Sequence, residues 1–302
     1  MKSLKGVKGI VFAIISSGTF GLIPLFTIPL VNEMGMNEAN VLFYRFLFSA
    51  IMMGILCLIR GEHLKINRKQ IIPLFALGTL YALTALFLVY SYNYIASGIA
   101  TTVHFLYPIC VSLLMVFFFK EQKSYSLLFA ALLSLIGVAL MCWTKDGSFN
   151  TLGLGLASLT IITYGVYIVG LNQSKVGKLP ADLLTFYVIL AGAFIFFIYA
   201  QFTTGISVIP SSKATFYLIG LAFLATVISD LTLILAVKYA GSTVTAILGS
   251  MEPLVAVSVG VLVFSEYFST QSFIGLLLIL LSVILVIKSD QKRKNKSLKA
   301  KP

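Results

Sequence analysis

Charged residues are scarce in this sequence of 302 residues. Asp, Glu, Lys and Arg make up 11% of it, hydrophobic residues make up 59%, and the mean hydropathy is +1.01. A water-exposed surface cannot be built from so few charges. The composition therefore excludes the one or two soluble domains that this length would otherwise predict, and it predicts a polytopic membrane protein.

Cysteine and histidine are scarce as well, with three and two copies. Cys57, Cys110 and Cys142 lie in apolar runs without pair spacing, which argues against disulfides and thiolate metal sites. The H-E-x-x-H, G-x-S-x-G and G-x-x-x-x-G-K-[ST] motifs of zinc hydrolases, serine hydrolases and P-loop ATPases are absent. We therefore expect no metal, no cofactor and no enzymatic activity. An intramembrane enzyme is the alternative from another class.

Ten apolar segments are long enough to cross a bilayer, which takes about 20 residues per helix. In lipid, the backbone groups of such segments are satisfied within helices. We therefore predict an all-α membrane protein with ten transmembrane helices joined by short links. The predicted spans are residues 9–31, 39–59, 71–93, 98–119, 124–143, 151–172, 182–204, 214–237, 242–264 and 271–288.

The basic residues are distributed unevenly between the two ends of these spans. With the amino terminus in the cytoplasm, 19 of the 22 Lys and Arg residues fall on the cytoplasmic side; Lys145 and Lys213 fall outside, and Arg45 lies within a span. This positive-inside pattern predicts a multi-pass protein of the cytoplasmic membrane with both termini in the cytoplasm. We interpret the basic tail, residues 289–302, as an anchor to anionic lipid headgroups and expect no nucleic-acid partner.

The chain also repeats itself, which divides it into residues 1–146 and 147–288, with five predicted spans each. An odd number of spans makes the second half enter the membrane from the opposite side. Such inverted repeats support alternating access around a site near the midplane. The matches are Tyr94 and Ser97 with Tyr239 and Ser242, Pro108 with Pro253 and Glu121 with Glu266 at a shift of 145; Thr19-Phe20-Gly21 with Thr163-Tyr164-Gly165 at 144; and Phe43-Tyr44 with Phe186-Tyr187 at 143.

Four short motifs carry a family resemblance. They are Thr19-Phe20-Gly21, Phe43-Tyr44-Arg45-Phe46, Leu106-Tyr107-Pro108 with Glu121, and Met251-Glu252-Pro253-Leu254-Val255 with Ser265-Glu266. Together they resemble the EamA-type branch of the drug/metabolite transporter superfamily, over nearly the whole chain. The resemblance implies two inverted five-helix repeats, a central cavity between spans 1–4 and 6–9, and export or exchange of small metabolites such as amino acids, sugars, nucleotide precursors or drugs.

Four ionisable residues lie within predicted spans, where each costs on the order of 2.5–3.5 kcal/mol to insert and so needs a partner or a hydrated cavity. Glu252 and Asp230 fall at similar depth, where they can share a proton, as a proton-coupled carrier requires, or act as structural hydrogen-bonding groups. Arg45 either anchors a substrate carboxylate or extends to the headgroups. His104 either carries a proton or satisfies a neighbour.

Two prolines and several aromatic residues complete the candidate site. Pro108 and Pro253 are expected to bend their helices, and Pro253 is expected to free a carbonyl near residue 249. Phe20, Tyr81, Tyr164 and Tyr167 are predicted near the midplane.

The sequence leaves the substrate open between two chemistries. Carboxylates with aromatic faces suit an amine or a quaternary ammonium compound, for which the protein would be an importer, whereas carboxylates with Arg45 suit an amino-acid zwitterion. The expected partners are a small-molecule substrate and membrane lipid, with protons as the candidate coupling ion. A monomer and a homodimer are both compatible with the sequence.

Overall fold

The computed structural model of the chain describes residues 2–61, 64–119, 129, 132–133, 136–137, 139–140, 150–174, 176, 179–240, 248–249 and 251–299. Its elements are helical: α1 Lys2–Phe20, α2 Ile23–Asn32, α3 Glu38–Ile59, α4 Arg68–Ser91, α5 Ser97–His104, α6 Tyr107–Phe118, α7 Thr151–Gln173, α8 Ala181–Thr203, α9 Ser212–Ala222, a π-helical turn Phe223–Ile228, α10 Ser229–Ala240, α11 Met251–Phe264 and α12 Thr270–Lys299.

Seven of the ten predicted spans coincide with helical segments that are long and apolar enough to cross a membrane. In the first half these segments are Val7–Asn32, Glu38–Ile59, Arg68–Ser91 and Ser97–Phe118. In the second half they are Thr151–Leu171, Ala181–Thr203 and Ser212–Leu233. Shorter apolar helices at Met251–Phe264 and Thr270–Ser282 overlap the predicted ninth and tenth spans. The fifth predicted span, 124–143, lies largely outside the described residues, so the count of ten stays a prediction.

Large apolar side chains cover the outside of the bundle. Ile72, Phe202 and Phe216 expose 79%, 87% and 70% of their surface. Inside, Phe46 and Phe196 are buried with ring centroids 5.0 Å apart. Helices that are apolar on both their inner and outer faces are typical of a membrane environment, and the chain is a multi-pass membrane protein.

Polar side chains start several helices at the ends of the spans. Asn37 accepts a hydrogen bond from the Ala39 N–H at 2.9 Å, and Asn67 forms a capping box with Gln70. Asn150 and Ser211 cap α7 and α9 in the same way. These side chains satisfy N–H groups that the first turn of a helix leaves unpaired.

Breaks interrupt the spans near their middles. α1 gives way to α2 at Gly21–Leu22, and α5 gives way to α6 at Phe105–Leu106. Prolines stand in the first turns of α2 and α6, where the missing N–H needs no partner. The π-helical turn separates α9 from α10.

Pro253 acts differently from the sequence expectation. It is the third residue of α11, and the Gly249 carbonyl accepts a hydrogen bond from the Glu252 N–H at 3.0 Å. The carbonyl at residue 249 is therefore not free. A proline in a first helical turn costs no intrahelical bond, because the N–H groups there have no partner one turn earlier.

The helices pack in pairs that follow the sequence repeat. α1 packs against α10. The repeat counterparts of these two helices are α7 and α4, which also pack against each other. α3 packs against its own counterpart α8, and α5 against its counterpart α11. A two-fold axis passing through the α3–α8 and α5–α11 contacts would produce this pattern.

Candidate functional site

The helix breaks surround a small internal cavity of about 30 Å³. Phe20 is the last residue of α1, His104 is the last residue of α5 and Glu252 is the second residue of α11, so three lining residues stand at helix ends. Interrupted helices with polar groups at the break are the usual construction of a transporter binding site. The cavity is lined by Phe20, Ile23, Arg45, Tyr81, Thr84, Ala85, Leu88, His104, Tyr164 and Glu252.

Six of the eight candidate binding or coupling residues line this cavity directly. The other two, Asp230 and Tyr167, contact its wall: the Tyr81 hydroxyl donates to Asp230 Oδ2 at 3.3 Å, and the Tyr167 ring stacks on Tyr81 at 5.4 Å. Residues from both halves of the chain are thus brought to one place. The two that lie farthest apart in the sequence, Phe20 and Glu252, are separated by 232 positions.

Arg45 lies inside the bundle and does not extend to the headgroups. Only 3% of its surface is exposed. Its Nε donates to Thr226 Oγ1 at 2.9 Å, and its Nη2 donates to the Ala225 carbonyl at 3.4 Å. Both acceptors belong to the π-helical turn, and such turns are frequent at functional sites. Within the described ranges, no carboxylate lies within salt-bridge distance of Arg45.

Glu252 is a buried carboxylate with 8% of its surface exposed. In the part of the chain that the structure describes, no side chain or backbone N–H donates a hydrogen bond to its carboxylate. A buried charge without a donor is costly, and because Glu252 lines the cavity, water or a bound molecule there can serve as a partner for its carboxylate. This property distinguishes Glu252 from Asp230, which Tyr81 already contacts.

Thr160 fixes the orientation of His104. The Thr160 hydroxyl donates its single hydrogen to the Ala157 carbonyl at 2.5 Å, so it accepts from His104 Nδ1 at 2.9 Å. Nδ1 therefore carries a hydrogen, and Nε2 is the nitrogen that can exchange a proton or accept one from a ligand.

Aromatic rings form a continuous group beside His104. The Tyr164 ring centroid lies 5.1 Å from His104, 4.7 Å from Tyr107 and 5.6 Å from Tyr167. Edge and tilted contacts of this kind are favoured between aromatic rings, and the face of such a ring attracts a cation.

Sequence reasoning missed Thr84, Thr160, Thr226 and Tyr107 as site residues. Tyr107 stands in the quoted Leu106-Tyr107-Pro108 motif, which could have indicated it. The threonines gave no signal, because a threonine in an apolar helix usually bonds only to its own preceding turn.

Replacing Thr160 with Val is expected to destabilise the folded protein by about 1–3 kcal/mol, because the Nδ1–H of His104 then has no acceptor. The measurement is thermal unfolding in detergent. Thr79→Val is the matched control, since among the described residues Thr79 bonds to the Phe75 carbonyl four residues earlier and to no other group. Equal unfolding temperatures for the two variants would contradict the assigned hydrogen bond.

The sequence profile of the EamA-like transporter family matches residues 7–143 and again residues 151–288. The chain belongs to the EamA-like transporter family. The two matches follow one another along the chain, so this EamA-like transporter contains the family unit twice. No curated protein matches its sequence.

The fold of this EamA-like transporter also occurs among solved structures. One crystal structure of a protein aligns with 97% of this chain, and 99% of that protein is covered, at a TM-score of 0.68 and 16% sequence identity. At 16% sequence identity, this structural similarity shows that the two proteins share a fold.

Proposed function

We propose that this protein is a secondary carrier that moves a small polar metabolite across the cytoplasmic membrane by alternating access. In this proposal residues 1–146 and 147–288 form inverted repeats of five spans each, and both termini and the tail 289–302 lie in the cytoplasm. The observation that carries the proposal is the small cavity at the helix breaks, with a buried carboxylate and a buried guanidinium on its wall.

The size of the cavity supports a mechanism with moving helices. The cavity volume of about 30 Å³ is far below the roughly 300–1,000 Å³ that small-molecule sites usually measure. A metabolite therefore enters only after the surrounding half-helices separate. Breaks at Gly21–Leu22 and Phe105–Leu106 allow such movement, because each half of the span can tilt without bending the other.

An amino acid is the substrate class that this wall fits best. The Arg45 guanidinium suits a carboxylate, and the Glu252 carboxylate suits an ammonium group. The neutral, rigid group of Tyr107, Tyr164 and Tyr167 suits an apolar or aromatic side chain beside these charges. Export or exchange is the direction that the family resemblance implies.

An amine or a quaternary ammonium compound is the second candidate, and two observations favour it. Asp230 and Glu252 outnumber Arg45, so the wall has an excess of negative charge when both carboxyls are ionised. The ring faces around Tyr164 add a cation–π surface.

A thermal-shift screen of the purified protein with amino acids, amines, sugars and nucleosides tests the substrate class. A ligand that binds the folded state raises the unfolding temperature by mass action. We expect amino acids to raise it and to exchange in proteoliposomes. Stabilisation by amines alone would favour the second candidate, and stabilisation by sugars or nucleosides alone would contradict both.

A proton gradient is expected to drive transport, because two carboxyl groups and His104 Nε2 lie at the cavity and offer sites for a coupled proton. In proteoliposomes loaded at one pH and diluted into another, the identified substrate should accumulate without any other gradient. A protonophore should abolish the accumulation. A transport rate that does not depend on the pH gradient would exclude proton coupling and favour facilitated exchange.

A further inference from the structure

Thr226 lies inside the π-helical turn Phe223–Ile228 and is fully buried. In an α-helix a threonine hydroxyl bonds to the carbonyl three or four residues earlier. The Thr226 hydroxyl donates instead to the Leu221 carbonyl, five residues earlier, at 3.2 Å. Five residues is the hydrogen-bond spacing of a π-helix. The turn thus directs the hydroxyl hydrogen of Thr226 to Leu221 and leaves the oxygen lone pairs to accept from another group.

Arg45 supplies that other group from the first half of the chain. Its Nε donates to Thr226 Oγ1 at 2.9 Å, and the hydroxyl accepts this bond because its single hydrogen is used by the Leu221 carbonyl. Arg45 Nη2 donates to the Ala225 carbonyl at 3.4 Å. The ring of Phe46, which is fully buried, lies 5.7 Å from Arg45 Cζ. One edge of the guanidinium is therefore held by the π-helical turn.

The rest of the guanidinium is available to a ligand. A guanidinium has five N–H donors, and the contacts to Thr226 and Ala225 use two of them, which leaves three. Within the residues that the structure describes, Nη1 has no acceptor, and no carboxylate lies within salt-bridge distance. Arg45 is buried and lines the cavity. A buried cation with unpaired donors attracts an anion, and the planar fork of N–H groups matches a carboxylate.

The contact with Thr226 prepares Arg45 for binding. An arginine side chain that is free to rotate loses rotamer freedom when it binds a ligand, whereas one that is already held loses less and binds more tightly. Among the described residues, Arg45 lines the cavity and Thr226 does not. Thr226 can therefore influence a ligand through Arg45 without touching the ligand.

We propose that Thr226 is a positioning residue, which holds Arg45 Nε so that the remaining donors of the guanidinium bind the carboxylate of the substrate. This proposal rests on the amino-acid substrate class proposed above and assigns a role to the π-helical turn within that site. It makes selectivity the expected property of the site: an amino acid binds more tightly than its carboxamide, and the difference depends on Thr226.

Arginine-selective ¹⁵N NMR tests the positioning contact without any substrate. The chain has four arginines, Arg45, Arg60, Arg68 and Arg293, and Arg45→Lys assigns the Arg45 Nε–H signal. We expect this hydrogen to exchange with solvent at least about tenfold more slowly than that of the exposed Arg68. Thr226→Val should shift the signal and speed its exchange, because the acceptor is lost. Thr226→Ser keeps the hydroxyl and should preserve the signal.

Ligand binding tests the consequence for selectivity. The probes are the standard amino acids, each measured beside its carboxamide by calorimetry in detergent, since a carboxamide has the size of a carboxylate without its charge. We expect at least one amino acid to bind about tenfold or more tightly than its carboxamide. Thr226→Val should weaken the binding of that amino acid on the order of tenfold and leave carboxamide binding unchanged. Thr226→Ser should bind both like the unmodified protein.

Thr232→Val is the matched control. Thr232 is also buried, and within the described ranges its hydroxyl bonds only to the Ile228 and Ser229 carbonyls, four and three residues earlier. This variant should change neither the Arg45 signal nor the selectivity. If Thr226→Val fails to fold, Arg45→Lys makes the same comparison, because lysine keeps the charge without the fork and should lose the preference for the carboxylate.

Three results would overturn the proposal: an Arg45 signal that Thr226→Val leaves in place, an equal loss of amino-acid and carboxamide binding in that variant, and the absence of any amino acid that binds more tightly than its carboxamide. Failure of the carrier function is distinguishable from these results. Selective amino-acid binding without exchange in proteoliposomes would contradict the carrier function alone, whereas exchange of an amine without carboxylate binding would contradict only the role of Arg45 and Thr226.

Discussion

Replacing Glu252 with Gln is expected to slow substrate exchange in proteoliposomes by at least tenfold while the protein stays folded. Gln keeps the size of the side chain and removes its charge. The carboxylate is buried at the cavity, and the described residues give it no hydrogen-bond donor, so its expected partner is the substrate or a coupled proton. A hydrogen bond to a charged group contributes about 1.5–3 kcal/mol, which corresponds to roughly 10- to 100-fold in rate or affinity.

Glu38→Gln is the matched control for this experiment. Glu38 begins α3 and accepts a hydrogen bond from Asn93 Nδ2 at 2.7 Å, on an exposed part of the protein. The Glu38→Gln variant should exchange substrate at the same rate as the unmodified protein. Near-normal exchange by Glu252→Gln, with an unchanged unfolding temperature, would remove Glu252 from the site.

Replacing Gly21 with Ala is expected to lower the free energy of unfolding by more than about 2 kcal/mol and to reduce transport. A Cβ at this position would lie 2.6 Å from the Glu252 carbonyl oxygen and 2.7 Å from Val255 Cβ. The nearest obstacle is backbone, so α1 and α11 would have to move apart beside the cavity. Thermal unfolding in detergent and exchange in proteoliposomes are the two measurements.

Gly18→Ala is the control for the glycine experiment, because no atom lies within 4 Å of the Cβ it would add. Ala is favoured over Gly in a helix interior by about 1 kcal/mol, so this variant should be as stable as the unmodified protein or slightly more so. Equal loss of stability in both variants would show that the close approach at Gly21 is not what limits substitution there.

The hydropathy of the chain was sufficient to predict its spans where the structure describes them. The runs 39–59 and 182–204 differ from the corresponding helices by at most one residue at each end, and the largest difference is four residues, between 214–237 and Ser212–Leu233. This agreement has a simple cause, since a lipid environment leaves a long apolar segment few alternatives to a helix. The cost of burying ionisable groups likewise pointed to Arg45, His104 and Glu252 at the cavity wall.

The details of the site could not be predicted in the same way. Depth along a span does not specify which side of a uniformly apolar helix faces inward, so sequence alone left Arg45 free to reach the headgroups. Its true acceptors belong to Thr226 and Ala225, 181 and 180 positions away. The orientation of His104 depends on Thr160, whose residue type is unremarkable in a helix.

The π-helical turn at Phe223–Ile228 makes the two halves unequal. The repeat offset grows from 143 at Phe43 to 145 at Tyr94, and the turn lies in the corresponding interval of the second half. A π-helical turn accommodates one of these two surplus residues and rotates the helix after it by about 100° relative to an uninterrupted helix. Asp230, which accepts a hydrogen bond from Tyr81, lies two residues beyond this turn. α4, the counterpart in the first half, is continuous. The two halves of the chain are therefore not exact structural copies of one another, and deleting a single residue from the turn is expected to restore a regular helix and to break the contact between Asp230 and Tyr81.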